Sequence, residues 1–419
     1  MPRPNILLIV NDCFRTEKTL GFPREEPLTK KSARTPFLDK LRETGTTWAN
    51  YNSISSTTTP NFASMFTGLY PDQHGIREHS RYSLLGGKYS TTHIYTLAER
   101  LKDQGYNTYA EVTGPLIPQT GLTRGFDHYR YRDRTNLFHN GFDVYLRDFL
   151  PTMKGPWFFC LHLWEAHGPY QPGRYDHPNF GVTPYDRAIS NIDHRLEHLL
   201  RNIDYDETYV IYTADHGERL LLDWELNRIK GGNEYKIFEE SQQQPRPPTD
   251  QWFEKCKRMF GEHKARIYAH CTKGHGFHLF EDLVRIPLVI SGPEIFGKTM
   301  KNDYLCSQID LMETLLQLAE VPNKTGRSIL RMKEDRKFIY IEANGSGGKQ
   351  FASKCYLRGI KNKKMKYFRI EAPSKIDYRC VYDLREDPRE TKNVINKIPS
   401  DQIKVFDQLI DNIKEINNG

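Results

Sequence analysis

A chain of 419 residues with 37% hydrophobic content can bury a large core, and its length alone admits two or three domains. No stretch approaches the roughly 20 apolar residues of a membrane-spanning helix, and the run Ile6 to Val10 is shorter than the ~7 residues of a signal-peptide core, so a soluble, cytoplasmic protein is expected. Seven cysteines, an odd number without close metal-type pairing, argue against a disulfide framework, and a net charge of +7 favours anionic partners although no nucleic-acid module or internal repeat is present.

The first element is the apolar run Ile6 to Val10, which ends on Asn11 and Asp12. It reads as a buried parallel strand delivering a carboxamide and a carboxylate at its C-terminal edge. Helices are expected over Pro36 to Gly45, Asn61 to Thr67 and Ile94 to Gln104, followed by strands at Asn107 to Val112 and Trp157 to Leu163. An amphipathic helix over Tyr185 to Leu200 precedes the strand Tyr209 to Thr213, which runs into Asp215, His216, Gly217 and Glu218, and a further strand is expected at Leu288 to Ile290. Alternating strands and helices predict an α/β fold with a mainly parallel sheet sandwiched by helices. Ligands collect at the C-terminal edge of such a sheet, which makes Asp12, Asp215 and His216 candidate metal ligands, with Asn11 a further one. Together with Thr58 they form a mixed oxygen and nitrogen set that suits a single divalent Mn, Mg, Ca or Zn ion.

After Gly326 the pattern changes to Lys337 to Ile341, Cys355 to Ile360, Lys366 to Ile370 and Arg379 to Tyr382, with a last helix near Ser400 to Ile416. A small C-terminal antiparallel α+β subdomain is expected over 326–419, after a catalytic domain over 1–325. The basic cluster Lys361, Lys363, Lys364 and Lys366 is a candidate polyanion contact, with solvated surface the preferred reading. Between Glu218 and Gly274 lies a long insertion, 219–273, containing Gln242-Gln243-Gln244-Pro245 and a helix-like stretch from Asp250 to His270. It is a candidate lid or homo-oligomerisation element, with an inert surface embellishment the alternative.

Residues Thr57 to Gly75, Thr-Thr-Thr-Pro-Asn-Phe-Ala-Ser-Met-Phe-Thr-Gly-Leu-Tyr-Pro-Asp-Gln-His-Gly, resemble the nucleophile loop of the alkaline phosphatase superfamily, which includes sulfatases and phosphodiesterases. The sulfatase-like order continues through Trp164-Glu165-Ala166-His167-Gly168-Pro169-Tyr170, Asp215-His216-Gly217-Glu218 and Gly274-His275-Gly276-Phe277-His278. It then reaches Arg285-Ile286-Pro287-Leu288 and Val381-Tyr382-Asp383-Leu384, so it covers nearly the whole chain. The resemblance implies Thr58 as nucleophile at a helix N-terminus and a metal-bound site. A hydroxyl needs a cation to favour its alkoxide, and a helix N-terminus receives the anion it attacks.

The chain departs from sulfatases at the nucleophile. Sulfatases carry a Cys or Ser that becomes formylglycine, followed by an Arg; here Thr58 cannot give the aldehyde and Phe62 replaces the Arg. Asn11 stands where sulfatases have the first of two paired Asp ligands, and the family's lysine is missing after Tyr106. Thr58-Thr59-Pro60-Asn61 is instead similar to the motif of nucleotide pyrophosphatase/phosphodiesterases, which implies a covalent phospho-threonine. Glu165, His167 and His275 are the available contributors to a second metal. The reading preferred here is one metal, with Asn61, His167 and His275 contacting a small anionic ester and His167 or His275 acting as general acid. The function expected is hydrolysis of phosphate mono- or diesters; the alternatives are a sulfatase without formylglycine and a catalytically inactive binding protein.

Overall fold

The structure, a computed structural model, describes residues 3–16, 33–77, 94–219, 275–276, 278–293, 301–322, 326–343, 356–372, 375–388, 390 and 393–413. The helix expected at 250–270 and the lid reading lie outside the described residues.

The run Ile6 to Val10 forms the centre of β1 (Asn5–Asn11), and these five side chains are completely buried, as a strand covered on both faces requires. After it come the short strands β2 (Thr46–Trp48) and β3 (Tyr51–Asn52), β4 (Asn107–Val112), β5 (His128–Tyr131), β6 (Trp157–Leu163), β7 (Thr208–Ala214) and β8 (Leu288–Ser291). The two-residue strands β9 (Lys301–Asn302) and β10 (Cys306–Ser307) follow. The main sheet has the order β5-β4-β6-β1-β7-β8-β2-β9, parallel from β5 through β7. β8 runs antiparallel to both β7 and β2, a reversal that its apolar sequence does not disclose.

Register places the site. Asn11 at the end of β1 lies level with Leu163 of β6 on one side and Ala214 of β7 on the other. Asp12, Trp164 and Asp215 therefore leave the sheet at the same edge, and β1 is where the strand order switches direction, the usual location of a ligand crevice.

Helices Pro36–Thr44, Thr58–Thr67, Leu97–Asp103, Phe142–Phe149, Pro184–Leu199 and Leu311–Leu318 accompany this sheet. The Thr58–Thr67 helix is buried at all ten positions and ends on Gly68, whose φ of 67° suits a residue without a Cβ. Strands β11 (Ile339–Ala343), β12 (Tyr356–Lys361), β13 (Met365–Ala372) and β14 (Lys375–Asp383) form the separate antiparallel sheet that the sequence anticipates, and the final helix is Ser400–Asp411.

The basic hairpin is a correction. Lys361 and Lys366 face each other across β12 and β13 and are buried, where solvated side chains were expected. Glu281 lies between them, 2.6 Å from the Lys361 ammonium and 3.0 Å from that of Lys366, and Glu390 takes Lys366 at 2.7 Å. A strand pattern does not announce a carboxylate arriving from another element.

Candidate active site

Thr58 is the first residue of its helix, and its side chain is buried at the edge where β1 and β7 end. Its Oγ1 donates to Asp12 Oδ2 at 3.2 Å and lies 3.4 Å from His216 Nε2. Thr58, Asp12, Asp215 and His216, separated by up to about 200 positions in sequence, are thus brought into one cluster.

Each ligand candidate is held by the backbone behind it. Asp12 is anchored by its N–H to Leu163 O, and Asp215 by its N–H to Asn11 O. Asp215 Oδ1 accepts from His216 N at 2.7 Å and Cys13 N at 3.2 Å, leaving its buried Oδ2 without a hydrogen bond among the described residues. His216 Nδ1 donates to Gly217 O at 2.8 Å, so its Nε2 presents a lone pair toward Thr58 and Asp12. Burial, helped by nearby His275, lowers the His216 pKa to about 4 and keeps the ring neutral. Asn11 donates its amide to the Tyr212 hydroxyl while its buried Oδ1 has no partner.

The two carboxylates answer burial differently. For Asp12, burial works against ionisation but His162, His167 and His216 outweigh it and hold the group well below the usual carboxylate range. For Asp215, burial and the Asp12 charge raise the pKa to about 8. Two buried carboxylates, a bare imidazole nitrogen and orphaned oxygens on Asn11 and Asp215 fit a divalent cation, which would satisfy these acceptors and relieve the repulsion between the acids.

A second group of side chains faces this cluster. His275 Nδ1 lies 2.8 Å from Glu218 Oε2 and 3.3 Å from Cys13 Sγ, and its ring is 4.5 Å from that of His216. Burial opposes a charge on His275, yet Glu218 prevails and raises its pKa to about 9. His167 stacks on Trp164 at 3.9 Å, donates Nδ1–H to Gly168 O, and stands 5.0 Å from His275. Burial lowers its pKa to about 4.

Two expectations change. Asn61, expected against substrate, is fully buried and engaged: its carbonyl accepts from Ser55 N, and its amide donates to Ser55 O and to Asp215 O at 2.8 Å. It braces the N-terminal turn of the Thr58 helix on the strand end that carries Asp215. Glu165 is spent on the backbone, accepting from Phe138 N and Trp164 N, which leaves it poorly placed for a metal. Beside Asp12, Cys13 adopts φ 60°, and its Sγ lies 2.8 Å from Asp12 Oδ1.

Sequence reasoning missed Glu218 and His162 as members of the site. Glu218 directly follows the Asp215-His216-Gly217 motif, a legible position, whereas His162 was hinted at only as the polar residue of an otherwise apolar strand, Trp157-Phe158-Phe159-Cys160-Leu161-His162-Leu163.

A mostly parallel sheet with carboxylates and imidazoles gathered at its strand ends is the framework of ester hydrolases of the alkaline phosphatase superfamily, and this protein is one of them. The Sulfatase family model matches residues 4–321, and a second model, N-sulphoglucosamine sulphohydrolase, C-terminal, matches residues 275–418. The chain belongs to the sulfatase family. It is similar to uncharacterized sulfatase YidJ of Escherichia coli (strain K12), 23% identical across 100% of this chain and 88% of that protein. Against human steryl-sulfatase it is 34% identical, over 36% of this chain and 25% of that protein.

Solved structures with the same fold include a phosphonate monoester hydrolase of Agrobacterium radiobacter, with TM-score 0.68, 15% identity and coverage of 99% and 95% of the two chains. Another, solved in complex with its substrate D-glucosamine-2-N,6-O-disulfate, has TM-score 0.66, 14% identity and coverage of 99% and 98%. Members of the family are typically metal-dependent, and groups of residues able to hold an ion are present here. No helix among the described residues is long and apolar enough to cross a membrane.

Proposed function

We propose that the chain hydrolyses phosphate mono- or diesters through a covalent intermediate on Thr58. The observation that carries this reading is the Thr58 hydroxyl at the N-terminus of a buried helix, 3.2 Å from Asp12 Oδ2 and 3.4 Å from His216 Nε2, with Phe62 where a formylglycine enzyme has its arginine.

A divalent cation held by Asp12, Thr58, Asp215 and His216, with Asn11 as a further oxygen donor, would lower the pKa of the Thr58 hydroxyl and neutralise a substrate oxygen. Thr58 Oγ1 attacks phosphorus in line as the bond to the leaving oxygen breaks, and helix N–H groups receive the phosphoryl anion. His275, kept cationic by Glu218, gives its proton to the departing alcohol. His167 has its Nδ1–H committed to Gly168 O, so it presents an acceptor nitrogen that orients substrate, while His275, left neutral by the first step, takes back a proton from the attacking water. That water displaces Thr58 from phosphorus and releases inorganic phosphate or a monoester.

Family membership favours a second reading, sulfate-ester hydrolysis without formylglycine, with sulfated sugars as the substrate class suggested by the complexed neighbour. A threonine ester must be cleaved at the heteroatom, since it cannot expel sulfate by collapsing to an aldehyde, and metal-assisted attack on phosphorus meets that requirement. Purified protein assayed on aryl phosphate, phosphodiester, phosphonate and sulfate esters, with Mn, Mg, Ca and Zn in turn, separates the two. Phosphoesters should be turned over fastest, rapid quenching should trap one phosphoryl group on the Thr58 peptide, and Thr58→Ala should lose turnover on every substrate. A sulfate ester hydrolysed far faster than any phosphoester would reverse the assignment.

A further inference from the structure

His162 is fully buried on β6, a strand whose other six side chains are apolar. Neither ring nitrogen has a hydrogen-bond partner among the described residues. The ring is held edge-on to Phe62 at 5.0 Å and Trp164 at 6.1 Å, and Arg132 grips the His162 backbone oxygen. An apolar residue would fill this position without orphaned polar atoms, so the imidazole needs a partner that the protein's own hydrogen bonds do not supply.

Its Nε2 points at the acidic cluster. It lies 3.4 Å from Asp12 Oδ2, yet the contact does not meet hydrogen-bond geometry, and Asp12, His162 and Asp215 each offer a ligand atom within 4.8 Å of the others. The neighbouring separations repeat the same spacing: Asp12 Oδ2 to Thr58 Oγ1 is 3.2 Å, Thr58 Oγ1 to His216 Nε2 is 3.4 Å, and His216 Nε2 to Asp215 Oδ2 is 3.4 Å. Two donor atoms about 2.0–2.1 Å from one ion stand roughly 3–3.4 Å apart at ordinary coordination angles.

We propose that His162 is a further ligand of the ion held by Asp12, Thr58, Asp215 and His216, an inference that rests on the metal site assigned above. A set with two imidazoles and two carboxylates favours Zn over Mg or Ca, whose preferred donors are all oxygen. Phe62 contributes by fixing the ring, so the residue that displaces the sulfatase arginine also positions a nitrogen donor. The rival is a cationic His162 acting as a fixed counter-charge to Asp12, which would make it a competitor of the ion.

The full chain is loaded with Mn after growth on 15N-histidine, and pulsed EPR counts the imidazoles bound to the ion. Two coupled imidazoles are expected in the wild type, falling to one in His162→Phe and one in His216→Phe. Chelator competition should show Zn affinity reduced by about tenfold or more in His162→Phe, with Mg and Ca affinity changed far less. One imidazole in the wild type, with metal still lost from Asp12→Asn and Asp215→Asn, overturns the role of His162 and leaves the four-residue site standing. Tighter ion binding in His162→Phe identifies the counter-charge rival instead. Absence of any bound ion from the wild type sinks both readings. The wild-type spectrum decides even if the variant fails to fold.

Discussion

Glu281 Oε1 sits 2.6 Å from Lys361 Nζ and 3.0 Å from Lys366 Nζ, a single carboxylate shared by two lysines that lie opposite one another in the C-terminal sheet. Lys361 also donates to Asn52 Oδ1, and Lys366 to Leu279 O. Burial raises the cost of ionising Glu281, but Lys361 and then Lys366 hold its carboxyl well below the usual range. Through Glu281 the antiparallel sheet is tied to the segment that begins with His275.

Removing one partner from this network should be costly. Lys366→Met leaves Glu281 and Glu390 short of positive charge in a buried setting and should destabilise the protein by about 3–5 kcal/mol. Replacing Glu390 by Gln in the same chain should recover part of the loss. Denaturant midpoints of the single and double variants provide the check, and no recovery in the double would show that the pair is not coupled.

Asp12→Asn, Asp215→Asn and His216→Ala should each lower metal content and activity together, because each removes a donor from one ion. Elemental analysis of the purified variants tests this directly. Normal stoichiometry in all three would place any ion elsewhere.

The assignment of His275 as acid is checked by the leaving group. An alkoxide needs a proton to depart, whereas a nitrophenolate leaves as a stable anion. His275→Gln should therefore slow alkyl phosphoesters by about 10²–10⁴-fold and 4-nitrophenyl esters far less. Equal losses on both would show that His275 binds substrate without donating the proton.

His74 predicts an acid limb in stability. Its Nδ1 accepts from Ile76 N at 3.1 Å and its Nε2 lies 3.1 Å from Ser64 Oγ, and burial lowers its pKa to about 3. The unfolded chain takes up the proton first as pH falls below about 6.5, so this contribution to stability is complete above that pH. Below it, about 1.4 kcal/mol should be lost per pH unit until the folded pKa is reached. Proton NMR should find the His74 ring shifts flat between pH 7 and 5, and titration with an ordinary midpoint would refute the neutral buried tautomer.

The sequence by itself determined the architecture. An apolar β1 ending on Asn11 and Asp12, a β7 ending before Asp215, and strands between helical segments dictate a parallel sheet with its acids at one edge, because a strand buried on both faces leaves its polar residues only at the ends. Motif order likewise singled out Thr58, Asp12, Asp215, His216, His167 and His275, which the structure draws to the same edge. What only the tertiary structure decided depends on contacts between elements far apart in sequence. The direction of β8, the burial of Lys361 and Lys366 over Glu281, the bracing use of Asn61, and the pairing of Glu218 with His275 follow from which surfaces meet. His162 shows the difference most sharply: alternation along β6 gives it a face, but only the register of β6 against β1, with Val10 opposite His162, brings its nitrogen within 3.4 Å of the Asp12 carboxylate.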